Sequence, residues 1–67
     1  MNYWRAYRKR GIQMMRPYVP GEDLSHVSVS PRDTPKEGDM IAVGDKPNDL
    51  WLVSAEFFHE KYEEVTL

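Results

Sequence analysis

MIAVGDKPNDLWLV, residues 40–53, is the stretch on which the fold turns. Two apolar runs, Met40 to Val43 and Leu50 to Val53, flank the six residues Gly44-Asp45-Lys46-Pro47-Asn48-Asp49. Glycine and asparagine tolerate positive φ, proline presets φ, and aspartate bonds back to its own backbone, so this middle is turn chemistry. Apolar runs of this length bounded by such a turn read as paired strands, here an antiparallel hairpin.

On the C-terminal side, Ser54 has the hydroxyl that accepts from free amides at a helix start, and Glu56 falls in the first turn, where the helix dipole favours an acid. Ala55, Phe58 and Tyr62 stand at i, i+3 and i+7, with Val65 continuing the stripe. That spacing predicts a helix over about 55–62 with one apolar face laid across the hairpin.

On the N-terminal side, Ile12, Met14, Arg16 and Tyr18 alternate with Gln13, Met15, Pro17 and Val19. The period of two predicts a strand that stops at Pro17 or Pro20, at a sheet edge, because proline donates nothing to a ladder. Pro20-Gly21 marks a turn. His26 to Ser30 alternates around Val27 and Val29 as a short half-buried strand does. Ser30-Pro31-Arg32-Asp33 predicts a single helical turn, and Thr34 to Asp39 a loop. The fold class is therefore α+β: a small antiparallel sheet built on the hairpin at about 40–53, with one C-terminal helix at about 55–62 packed on it. Its expected core is Met40, Ile41, Val43, Trp51, Val53, Phe58 and Tyr62.

The chain has 67 residues, 40% of them apolar, and no cysteine. A globule this small buries a modest share of its surface, and with neither disulfide nor thiolate-bound zinc it relies on packing, within the chain or across a subunit boundary. Met1 to Arg16 lacks the apolar run of a secretory signal, and no stretch has the length of a membrane span, so the expected compartment is cytoplasm. The net charge of −2 conceals a division. Met1 to Arg16 holds Arg5, Arg8, Lys9, Arg10 and Arg16 and no acid, a charge of +5, whereas Gly21 to Leu67 carries −7. We divide the chain into a basic aromatic arm, 1–10, and a single compact domain, 11–67. The arm is compatible with a short helical turn capped by Asn2 or with an extended segment.

Catalytic and metal motifs find little support. His59, Glu60 and Glu63 lack the second histidine of a zinc-binding H-E-x-x-H helix, and a solvated helix face accounts for them. His26 beside Ser25 reads as a surface or capping residue. Asp45, Asn48 and Asp49 crowd oxygens into one loop, but Pro47 interrupts the alternation a calcium loop requires, and turn formation explains all three. No phosphate loop, nucleophile elbow or cysteine nucleophile is present, and no metal or cofactor is expected. Tyr3-Trp4-Arg5-Ala6-Tyr7-Arg8-Lys9-Arg10 interleaves rings with cations, a mixture suited to bases and phosphates and equally to protein hot spots. The acidic body opposes nucleic acid, which favours a protein partner.

RPYVPGEDL (16–24), VSVSPRDTPKEGDMIA (27–42) and WLVSAEFFHEKYE (51–63) resemble a group of small uncharacterised accessory proteins of tailed bacteriophages and prophages. The resemblance covers about three quarters of the chain and leaves Met1 to Lys9 outside. It implies a phage origin and a fold, and it supplies no catalytic residues to carry across. The expected function is a non-enzymatic interaction protein that binds and inhibits or modulates a host or anti-phage defence protein, in the manner of an anti-CRISPR, within the infected bacterium. Its expected partner-binding residues are Trp4, Arg5, Tyr7 and Arg8 of the arm with Asp45 and Asp49 of the hairpin loop. Other readings are a nucleic-acid-binding accessory factor using the arm and an oligomeric small-ligand binder with a pocket between subunits. A homodimer is the expected closed form, and no membrane contact is expected.

Overall fold

A computed structural model describes residues 4–7 and 11–66. The expected hairpin is its centre: β3 (Met40–Val43) and β4 (Leu50–Val53) pair antiparallel, with Met40 opposite Val53 and Val43 opposite Leu50. Two backbone bonds close the connection, Gly44 N–H to the Asp49 carbonyl at 2.8 Å and Asp49 N–H to the Lys46 carbonyl at 3.0 Å. β1 (Met14–Pro17) adds antiparallel to the outer side of β3 and ends at Pro17, the earlier of the two expected stops. β2 (Val27–Ser28) adds parallel to β4, with Val27 opposite Leu50. The sheet order is β1-β3-β4-β2, so the hairpin supplies both central strands.

Residues directly opposite on neighbouring strands share a face of the sheet. The register therefore puts Met15, Met40, Ala42, Trp51 and Val53 on one face, and Met14, Ile41, Val43, Leu50, Leu52 and Val27 on the other. Ile41, Ala42, Leu52 and Val53 are all buried, two from each face, so both sides of the hairpin are covered at its middle. This corrects the expected core. Ala42 and Leu52 belong to it, while Met40, Val43 and Trp51 are only half-buried.

α1 (Ala55–Lys61) begins as expected: Ser54 Oγ accepts from the Phe57 N–H at 3.2 Å. It ends one residue sooner than the apolar stripe implies. Tyr62 has left helical geometry at φ −125°, ψ 151°, so its ring sits past the last turn and is 36% exposed. Phe58 is half-buried, and no residue of α1 is fully buried. The helix therefore has no core of its own.

The connection from β1 to β3 is ordered by turns. Pro20 and Gly21 occupy the middle of a turn closed by Glu22 N–H to the Val19 carbonyl at 3.0 Å, and Gly21 takes the positive φ of 91° that this turn needs. Arg16 grips Glu22 with both guanidinium nitrogens, at 2.7 and 2.9 Å, and Glu22 also accepts the Val19 N–H at 2.8 Å. The guanidinium holds the Glu22 carboxyl down to about 2, helped by the Val19 amide. Ser30 to Asp33 form one hydrogen-bonded turn where the sequence predicts a single helical turn, with Asp33 N–H on the Ser30 carbonyl at 2.9 Å and Arg32 N–H on Ser30 Oγ at 3.3 Å.

Just before β3 lies the buried carboxylate of Asp39, 1% exposed. It accepts from the Ala55 N–H at 2.8 Å, the Lys36 N–H at 3.0 Å and Lys36 Nζ at 3.1 Å. Burial pushes this carboxyl up, but the two amides and the ammonium outweigh it and hold it below the ordinary aspartate range. Lys36 also reaches Glu56 at 3.2 Å, so one side chain joins the pre-strand turn to the first turn of α1.

Candidate functional site

The arm and the hairpin loop are placed apart in role. Trp4 and Tyr7 are each 89% exposed, Arg5 between them is exposed, and residues 4–7 form neither helix nor strand. Arg8 lies outside the described residues, as do Tyr3, Lys9 and Arg10 of the possible helical turn, whose described half, Trp4 to Tyr7, is not helical. Asp45 and Asp49 are exposed at the hairpin tip, where Asp49 serves the loop through its backbone. Among the described residues no ion pair joins Arg5 to either aspartate.

What the sequence reading missed is a groove of about 880 Å³ between β1 and the end of α1. Its floor and walls include Ile12, Met14, Met15 and Met40 on the sheet side, and Phe58, Tyr62 and Val65 on the other. Its construction follows from the local chemistry already described. β1 is an edge strand with Met14 and Met15 on opposite faces, and the chain leaves α1 at Tyr62, so the tail carries Val65 back beside the strand. The Phe58 and Tyr62 rings stack with centroids 6.1 Å apart and planes at 18°, which stiffens that wall. A shallower depression of about 520 Å³ continues past Tyr62 to Trp51 and Phe57.

Eight large apolar side chains are exposed among the described residues. Ile12, Met14, Phe57, Tyr62 and Val65 line the two depressions, Trp4 and Tyr7 sit on the arm, and Val19 alone lies elsewhere. Apolar exposure concentrated in this way marks contact surfaces rather than scattered surface residues. The legible signal was Ile12 and Met14 in one alternating strand, but strand periodicity says which face a residue takes and not whether that face is covered.

The groove's edge is acidic. Asp45, Glu63 and Glu64 border it with Lys61, whose ammonium stands 3.6 Å from Glu60. Among the described residues Asp45, Glu63 and Glu64 have no cationic partner. His59 is exposed and its ring packs edge-on against Phe58 at 5.4 Å. Among the described residues no three His, Cys, Asp or Glu side chains are grouped to hold a metal ion, and no helix is long and apolar enough to cross a membrane. Comparison with protein-family models, with curated proteins and with solved structures gives no match for this chain.

Proposed function

We propose that this chain is a small phage-derived interaction protein, without a reaction of its own, that binds and inhibits or modulates a host or anti-phage defence protein in the bacterial cytoplasm. The observation that carries this reading is the exposure of Trp4 and Tyr7, each 89%, on either side of Arg5. Tryptophan, tyrosine and arginine give the largest contact energies when desolvated in a protein interface. Arg8, next along the sequence, adds a second planar donor. The phage origin rests on the resemblance of residues 16–63 described above and is an argument by analogy.

The test is capture from bacterial lysate by the full chain and by a W4A/R5E/Y7A variant, with and without nuclease. The reading requires a protein retained by the parent, lost by the variant and indifferent to nuclease. Recovery that nuclease abolishes would instead assign the arm to nucleic acid, a role its alternation of rings and cations also suits. Equal retention by parent and variant would move the contact surface to the acidic loop at Asp45 and Asp49.

A further inference from the structure

We propose that the groove between β1 and α1 receives the basic aromatic arm of a second copy of this chain, so that two protomers exchange arms in a symmetric dimer. The two surfaces are complementary in both respects that matter. The groove is apolar inside, through Ile12, Met14, Met40 and Phe58, and its edge carries Asp45, Glu63 and Glu64 without cationic partners among the described residues. The arm carries Trp4 and Tyr7 for the interior and Arg5, Arg8, Lys9 and Arg10 for the edge, with no acid of its own. Methionines line the floor, and their unbranched, polarisable side chains adapt to an incoming ring.

Trp4 and Tyr7 do not line the groove of their own chain. Gly11 and Ile12, at the root of the arm, already border the groove, yet Trp4 and Tyr7 are 89% exposed. A second copy presents the same arm from outside, and a two-fold axis makes the contact reciprocal, so each copy covers the other's groove. The seven steps of chain from Trp4 to Gly11 span up to about 24 Å when extended, enough to cross between protomers. Exchange of an identical segment is a low-cost route to a dimer, because it covers apolar surface that each chain already exposes. This inference does not depend on the host partner proposed above and is tested on the purified chain alone. It has one consequence for that partner: a protein that takes the arm must compete with the groove.

The experiment is sedimentation of the full chain at high micromolar concentration, at low and high salt, beside two charge-reversed variants. R5E/R8E alters the arm and E63K/E64K alters the groove edge. The parent is expected to dimerise, with an association constant that falls about tenfold or more as salt screens the pairs. Each variant alone should be weaker than the parent by about tenfold or more, since like charges then meet. A one-to-one mixture of the two should restore the dimer, because every arm then finds a groove of opposite charge. Methionine methyl resonances give a readout that needs no variant: those of Met14, Met15 and Met40 should move as the parent is diluted. A parent that stays monomeric, variants that dimerise like the parent, or methionine signals that ignore dissociation would each overturn the proposal.

Discussion

The carboxylate of Asp39 accepts the backbone N–H of Ala55 at 2.8 Å and so ties the entrance of β3 to the first turn of α1. Asp39 is the one polar residue buried among the described residues, and its partners are complete. Replacing it by alanine would strand the Ala55 and Lys36 amides and leave the Lys36 ammonium without its main counter-charge. Each buried amide left without its acceptor costs about 1 to 3 kcal/mol. A domain this size holds only about 3 to 10 kcal/mol in total. Urea denaturation of Asp39→Ala is expected to show a largely unfolded chain, and a midpoint equal to the parent's would show that the Asp39 bonds do not hold β3 to α1.

Acid should weaken the fold through Glu22 and Asp39. Both folded carboxyls lie below their ordinary values, Glu22 at about 2 against 4.5, so the unfolded chain binds more protons between those limits. The stability from Glu22 is thus complete above the unfolded value and lost as pH falls from about 4.5 towards 2. Thermal melts across that window should show a steep loss for the parent and a shallower one for Glu22→Gln. Parallel slopes would show that the Arg16 pair contributes nothing measurable.

The two apolar layers should respond unequally. Ile41 is buried in the centre of the sheet, and its replacement by alanine is expected to cost about 2 to 5 kcal/mol. Phe58 is half-buried on a helix with no fully buried residue, so Phe58→Ala should fall below the full penalty of about 3 to 5 kcal/mol for a core aromatic. Equal losses, measured by chemical denaturation, would mean that α1 is packed far more tightly than its exposure indicates.

Gly38 separates strain from space. It sits at φ 98° in the turn closed by Asp39 N–H to the Lys36 carbonyl, and an added Cβ would meet Ala55 Cβ at 3.5 Å, an ordinary contact. Gly38→Ala should therefore cost about 1 to 2 kcal/mol from left-handed backbone alone. Gly21, at φ 91° with nothing within 4 Å, should lose a similar amount. A much larger loss at Gly38 than at Gly21 would point to crowding beneath the helix.

Changes in the arm should leave the fold intact. Residues 4–7 lie outside the sheet and helix, so W4A/Y7A is expected to stay within about 0.5 kcal/mol of the parent, as surface substitutions do. The same variant should lose partner capture. A large fall in melting temperature would show that the arm is a structural edge.

The sequence alone determined the elements whose signals are local. Turn residues at 44–49 between two apolar runs specify a hairpin, Ser54 specifies the start of α1, and Pro17 and Pro20 bound the end of β1, because each depends on neighbours within a few positions. The basic arm and acidic body were legible as charge. Tertiary structure decided the rest. Val27 pairs parallel with β4 across more than twenty positions, and it is this flanking by β1 and β2 that makes Ala42 and Leu52 central and buried. Asp39 reads as a loop acid until the Ala55 amide, 16 positions away, and both donors of Lys36 converge on it. The groove likewise exists only because the chain leaves α1 at Tyr62 and brings Val65 towards Met14. Local preference is set by the backbone and its nearest side chains, whereas burial and pairing depend on which distant segments meet.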